Sequence, residues 1–438
     1  MLQEATEATY GFRPSYRKIW LAKQKAMAQI YGDWEESYGD LSHWIIGVTS
    51  TMDGTVALLK IYPVRVGDQV DESRVFFHRM FWTFPSCIEA FRHCKSLVII
   101  DGTHLYGKYG GTLLLAIAQD GNSNILALRL HLWRGKMQNP GHTFYPTLED
   151  MLLHRKVAAN FALTFKGKES RRWLVNAAYA KMEAEFDYWF DIMRTENPAM
   201  CDWANRMEYE RWTQHKDGGR RYGHMTTNIS ECVNSVLKGT RNLPVTSLVK
   251  STYLRLAELF VIRGQTVEAQ LASGHQFSQA LVKAIERILR DSRCFTVTLF
   301  DRHQAEYTVG KTTPTGKFSL GSYRVSLRDR TCDCGYFQAL HYPCYHAITC
   351  CAQSRLDWAT YVDEVYSMSE VFKVYQISFV GSTGDCPASS LNRTVPTNST
   401  TNLGATPNAP TSSIGATNTV VATTSGIPTC IILLHHII

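Results

Sequence analysis

Apolar positions change their spacing along the chain, and each change marks a different kind of element. From Pro14 to Tyr31 they recur at helical spacing, with Tyr16, Trp20, Met27 and Tyr31 near one face. Arg17, Lys18, Lys23 and Lys25 fall largely elsewhere, as on a solvated basic face. Thr55 to Tyr62 reads as a strand stopped by Pro63. Three short apolar runs follow at Ser96–Asp101, Thr112–Gln119 and Ile125–Leu132, the last two separated by a turn at Asp120-Gly121-Asn122-Ser123. Their apolar character is continuous, which predicts strands covered on both faces, as at the centre of an α/β sheet.

After Leu132 the pattern breaks: Gly135, Pro140, Gly141 and Pro146 leave no clear period. A helix is predicted from Thr147, carrying Leu148, Met151, Leu152 and Leu153. From Glu169 to Thr195 one helical stripe runs through Trp173, Ala177, Ala180, Phe186, Phe190 and Met193. Further helices fit Asn228–Lys238, Val245–Gly264 and Ser278–Arg290. Alternation then returns at Phe295, Val297 and Leu299, at Tyr307 and Val309, and at Tyr323, Val325 and Leu327, predicting a small antiparallel unit. Beyond Ser382 the chain is Ser, Thr, Asn, Pro and Ala with almost no charge, a composition expected to be disordered.

Composition narrows the class only a little. The hydrophobic share of 45% and aromatic share of 11% predict bulky cores in a chain of 438 residues. A net charge of +7 is compatible with nucleic acid without requiring it. Met1 to Phe12 lacks the apolar run of a signal peptide, and Ile431–Ile438 is far short of the roughly 20 residues a membrane span needs. The expectation is an intracellular protein without a membrane partner. Its twelve cysteines then read as thiols or metal ligands rather than disulfides.

Four residues carry the sharpest chemistry. Cys332-Asp-Cys334 and, after nine intervening residues, Cys344-Tyr-His346 supply three thiolates and an imidazole in two close pairs. In an extended strand Cys332 and Cys334 face one side, and a helix over Ala347–Gln353 brings back the second pair. Such a set closes a tetrahedral site, and its sulfur content selects structural zinc over magnesium or calcium. Cys350 and Cys351 read as buried thiols. The pattern Cys-x-Cys, spacer, Cys-x-His resembles the SWIM zinc finger, which implies a DNA-binding or protein-interaction element.

Two acids are ambiguous on local grounds. Asp101 ends an apolar strand, where position alone favours a solvated strand-end carboxylate over a metal-binding one. In Asn228-Ile-Ser-Glu231, Glu231 reads as the returning half of a capping box. The wording around them is more specific. Asp101-Gly-Thr-His-Leu-Tyr-Gly-Lys-Tyr-Gly-Gly-Thr-Leu-Leu resembles the segment bearing the first catalytic Asp of Mutator-like (MULE, MuDR-type) transposases. Asp217-Gly-Gly-Arg-Arg-Tyr-Gly and Thr226-Thr-Asn-Ile-Ser-Glu231 resemble the stretch with that family's catalytic Glu, and Leu237-Lys-Gly-Thr-Arg-Asn-Leu-Pro continues the likeness. It runs from about Tyr10 to Phe379.

This resemblance implies an RNase H-like fold in which a DDE triad holds two Mg2+ or Mn2+ ions for phosphoryl transfer. It also implies a departure. The family's second Asp, on a later strand, and its Cys/His motif have no counterpart between Leu132 and Phe161, where Lys156 stands in place of a His. Several tens of residues are missing by this comparison, as is the family's upstream DNA-binding region, and the tail after Ser382 reads as unrelated sequence.

The fold class expected is therefore α/β: an incomplete RNase H-like core with helical insertions over 76–290, followed by an antiparallel β plus helix SWIM module over 291–380. A helix-and-strand segment at 10–63 precedes them, and a disordered tail covers 381–438. Asp101 and Glu231 are then catalytic remnants, and Arg220, Arg221, Lys238 and Arg241 are candidates for DNA phosphates. The functional expectation is a degenerate, nuclear transposase that binds zinc and DNA without cleaving it. Its alternatives are a domesticated transcription factor or interaction protein, working with a protein partner through the SWIM module, and an active metal-dependent transposase.

Overall fold

A computed structural model describes residues 2–66, 69–105, 109–134, 157–158, 160–225, 237, 239–301, 306–311, 321–376 and 418–422. The main sheet is built from β1 (Val56–Val66), β2 (Gln69–Thr83), β3 (Ile99–Leu105), β4 (Gly111–Gln119) and β5 (Ile125–Arg134). A second sheet contains β6 (Phe295–Asp301), β7 (Glu306–Lys311), β8 (Ser322–Ser326) and β9 (Thr331–Cys332) in sequential order. In the tail, β10 (Asn418–Ala422) pairs with β1, so these five residues depart from the expected disorder. The main sheet has the order β10-β1-β2-β5-β4-β3, and every pairing in it is antiparallel.

The three apolar runs became β3, β4 and β5, and all nine residues of β4 are buried. Register separates the two faces of the sheet. One carries the row Leu59–Met80–Leu132–Leu113–Thr103, and beside it Ala57–Trp82–Leu130–Leu115–Asp101. Its apolar members form the principal core with the helices Glu36–Thr51, Val245–Ala272 and Met368–Gln376. On the other face Ile100, Leu114 and Ala116 form a small separate cluster. Burial on both faces explains why β4 reads as a continuous apolar run although its sheet is antiparallel. Coverage of both faces, rather than strand direction, imposed the pattern.

Two expectations need correction. β1 does not stop before Pro63 but continues to Val66. Its pairing with β10 ends at Ile61, so the missing proline N–H falls where β1 has no neighbour on that side among the described residues. The single helix expected over Glu169–Thr195 is two, Lys168–Tyr179 and Glu183–Glu196. The break at Ala180–Met182 receives the zinc module: Met182 packs into its core, and Lys181 sits with its ammonium 4.6 Å from the Tyr336 ring centre. A Cβ on Gly335 would lie 2.1 Å from the Lys181 carbonyl oxygen. Only glycine at φ 73° permits that approach.

Val245–Ala272 and Gln279–Asp291 confirm the later helices, the first running beyond Gly264 and the second capped by Ser278, whose hydroxyl accepts from the Leu281 N–H. The helices expected from Thr147 and over Asn228–Lys238 lie outside the described residues, except for Leu237. No described helix is long and apolar enough to cross a membrane.

Candidate metal centre

The second sheet folds against the helix Tyr345–Ser354, and the ligands stand where they meet. The first pair sits on a strand end followed by a turn, not on an extended strand as expected: β9 ends at Cys332, and the Gly335 N–H returns to the Cys332 carbonyl at 2.9 Å. Asp333 fixes this turn by accepting the Arg324 N–H at 2.8 Å and donating its own N–H to the Arg324 carbonyl at 3.0 Å. Gln338 clamps Cys332 from both sides, its side-chain oxygen accepting the Cys332 N–H at 3.1 Å and its amide donating to the carbonyl at 3.0 Å. Cys344 is the residue preceding the first turn of Tyr345–Ser354, which places His346 on that turn.

The ligand atoms of Cys332, Cys334, Cys344 and His346 all lie within 4.8 Å of one another, and all four residues are buried. His346 Nδ1 stands 3.4 Å from Cys332 Sγ and 4.0 Å from Cys344 Sγ. A tetrahedral zinc ion, with bonds of about 2.3 Å to sulfur and 2.0–2.1 Å to nitrogen, sets such edges near 3.6 Å. The imidazole is held between Tyr323, stacked at 4.0 Å, and Phe295, edge-on at 4.6 Å.

Electrostatics agree with a metal site. Hydrogen bonding to Cys334 and Cys344, reinforced by burial, pushes the Cys332 thiol far above its ordinary range, and Cys334 is also raised. Burial opposes ionisation of Cys344, but hydrogen bonds from Cys332, Cys334 and His346 outweigh it and pull this thiol down. Packed this closely, the thiols share one negative charge readily and three only with a cation among them. A zinc ion supplies that compensation, linking metal binding to folding. The donor set fits zinc, and with four protein ligands it leaves no position open for catalysis. Cys350 and Cys351 are buried in the same module, and burial pushes both thiols up.

The remaining candidates are not gathered into one site. Asp101 lies on β3 opposite Leu115, and its side chain is outside the described residues, as are Glu231 and Lys238. Arg241 reaches this neighbourhood, donating to the Thr103 hydroxyl at 2.5 Å. Arg220 is exposed, with its guanidinium donating to the Asp217 and Glu210 carbonyls.

Arg221 requires correction. It is buried, donates to the carbonyls of Thr213, Glu210 and Arg211, and lies 3.8 Å from the Asp217 carboxylate. Its charge is committed inside the protein, so it is not a surface for phosphate.

The segment Asp217–Gly223 instead docks the zinc module. The Gly219 carbonyl accepts from His341 Nε2 at 2.9 Å, and the Tyr222 ring lies 4.4 Å from the His341 ring. A Cβ on Gly219 would lie 2.1 Å from the carbonyl oxygen of Gln338, the residue that clamps Cys332. Sequence reasoning missed Gln338, Tyr323 and His341. Only their position within a zinc-finger pattern could have drawn attention to them.

The SWIM zinc finger family matches residues 323–351, which span Tyr323, all four ligands, Gln338 and His341. No curated protein and no solved structure matches the chain.

Proposed function

We propose that this chain is a zinc-stabilised, nucleic-acid-binding derivative of a Mutator-like transposase, without DNA cleavage or strand transfer of its own. The observation that carries the reading is the closed Cys332–Cys334–Cys344–His346 centre within a SWIM finger. Its docking loop, Asp217–Gly223, is one of the segments that resemble transposase sequence. Asp101, the family-like acid, lies on a strand of the main sheet.

Loss of cleavage follows from ligand number. A two-metal centre needs several carboxylates around ions about 3.5–4 Å apart. The resemblance assigns the second Asp to a later strand, in a motif that has no counterpart in the sequence between Leu132 and Phe161. Asp101 and Glu231 then remain without their third partner, and the core is an incomplete RNase H-like one. Arg220, whose side chain is exposed, is the described basic residue of the original set best placed for a DNA phosphate, Arg241 being half-buried and donating to the Thr103 hydroxyl, and a nuclear location follows from that partner.

The test is one zinc per purified chain, DNA affinity that falls steeply with salt, and no nicking of supercoiled DNA with Mg2+ or Mn2+. Nicking abolished by Asp101→Ala would instead establish an active enzyme. Zinc binding without nucleic-acid affinity would point to the protein-interaction reading.

A further inference from the structure

On the face of the main sheet turned away from the principal core, the β4 positions Leu114 and Ala116 are buried, but the partly exposed positions on β1, β2 and β5 have a composition that packing does not explain. Lys60 on β1 and Arg79 on β2 are direct cross-strand partners, and Arg79 is in turn paired with Trp133 on β5. Like charges placed directly opposite destabilise a sheet. No carboxylate forms an ion pair with Lys60, Arg79 or Arg129 among the described residues. Arg129 shares this face, opposite Ala116, and no acid occupies the rows that contain these three cations.

Aromatic rings are interleaved with the charges. The Arg79 guanidinium lies 5.5 Å from the Trp133 ring centre and the Lys60 ammonium 5.7 Å from that of Tyr62. Phe81 stands in the adjoining row. All six residues are partly exposed, whereas the matching row on the opposite face, Leu59–Met80–Leu132–Leu113, is buried and apolar. Burial and the neighbouring cations push His78 down to about 4, so this ring adds aromatic surface rather than charge at neutral pH.

We propose that this face binds single-stranded nucleic acid, with Tyr62, Phe81 and Trp133 stacking on bases and Lys60, Arg79 and Arg129 contacting phosphates. The inference deepens the nucleic-acid reading above and rests on it. Flat rings standing on a sheet offer stacking platforms, and every base has a face to stack. A duplex conceals those faces within its own stack and could engage only the cations. Strands are about 4.8 Å apart, so Lys60 and Trp133, two strands apart, span roughly 10 Å, enough to engage neighbouring nucleotides.

The test uses the full zinc-loaded chain and a fluorescein-labelled oligodeoxythymidylate of about 12 nucleotides, within the usual site sizes of ~4–16. Anisotropy titrations at several salt concentrations are expected to show binding weakened by salt. In Lys60→Gln/Arg79→Gln, the slope of log affinity against log salt should become shallower by about 1.4, two phosphates at roughly 0.7 each. Phe81→Leu and Trp133→Leu should each weaken binding about tenfold at unchanged slope, as expected for loss of a stacked base. Unchanged zinc content and melting temperature in the double charge variant separate lost binding from lost folding.

Unchanged oligonucleotide affinity in both sets would overturn the sheet platform while leaving nucleic-acid binding intact. Equal competition by a duplex of the same length would overturn the single-strand assignment. Absence of binding to any nucleic acid would remove both the platform and the functional reading. Retention of an acidic protein by this face without oligonucleotide affinity would also overturn the proposal.

Discussion

The main sheet and the zinc module hold their shapes by opposite means. The sheet spreads its stability over many apolar side chains: Leu113, Met80, Trp82 and Leu130 lie within a continuous core shared with three helices. The module has a smaller core and concentrates its order in four ligands whose thiols oppose one another until a cation arrives. A distributed core weakens by degrees, whereas a metal centre fails as a unit. The two are nevertheless joined by close backbone approaches. A Cβ on Gly121, in the β4–β5 turn, would lie 1.8 Å from the Val365 carbonyl oxygen, and the Ser278 N–H donates to the Tyr366 carbonyl at 2.9 Å.

The largest effect expected is from Cys344→Ser or zinc chelation. Structural zinc binding involves on the order of 10–16 kcal/mol, so the module should lose its protection from hydrogen exchange over β6–β9. Retained protection in β3–β5 would sustain the contrast between the regions. Simultaneous loss there would show that the Gly121 and Gly219 junctions make them one cooperative unit. Next comes Leu113→Ala, which removes a fully buried side chain and should cost about 2–5 kcal/mol, measured by denaturant unfolding, with zinc still bound at one per chain.

Acid should weaken the sheet by a route of its own. Burial pushes His131 down to about 3 and His224 down to about 4, below the ordinary histidine value. Between about pH 4 and 6.5 the unfolded chain therefore binds more protons than the folded one, so stability rises with pH there and is lost on acidification. His224→Gln should flatten the fall in Tm between about pH 7 and 5 and have less effect on its slope at alkaline pH, where the imidazole is neutral in the unfolded chain as well. An unchanged slope would assign the acid response elsewhere. The smallest effect is from Ser278→Ala, which removes the helix cap and a hydrogen bond to the Gly121 carbonyl, at a cost of about 1–2 kcal/mol. A loss of zinc in that variant would contradict the separation of cap and metal centre.

Much of the zinc module was legible in the sequence. Few residue types bind zinc, so Cys332, Cys334, Cys344 and His346 stood out by chemistry and spacing. The alternation at Tyr307, Val309, Tyr323 and Val325 became β7 and β8, because one face of each strand is covered. The strands β3–β5 were legible as continuous apolar runs because β4 at their centre is buried on both faces, although their common antiparallel direction was not. Apolar content records burial and says nothing of which way a neighbouring strand runs.

Residues whose roles depend on distant partners were harder to read. The helical stripe through Ala180 continued across a break, since the zinc module that occupies it comes from more than a hundred residues away. Arg221 looked like any surface arginine until the fold enclosed it among backbone carbonyls. Likewise Lys60, Arg79 and Trp133 became one row only through β-sheet register.

By itself, the sequence determined which side chains could bind zinc and which segments had enough apolar surface to be buried. Both are properties of residue type and local spacing. The tertiary structure alone decided that Asp217–Gly223 docks the zinc module, that Arg221 is internal, and that cations and rings share one sheet face. Each of these depends on contacts between remote parts of the chain, which local spacing does not encode.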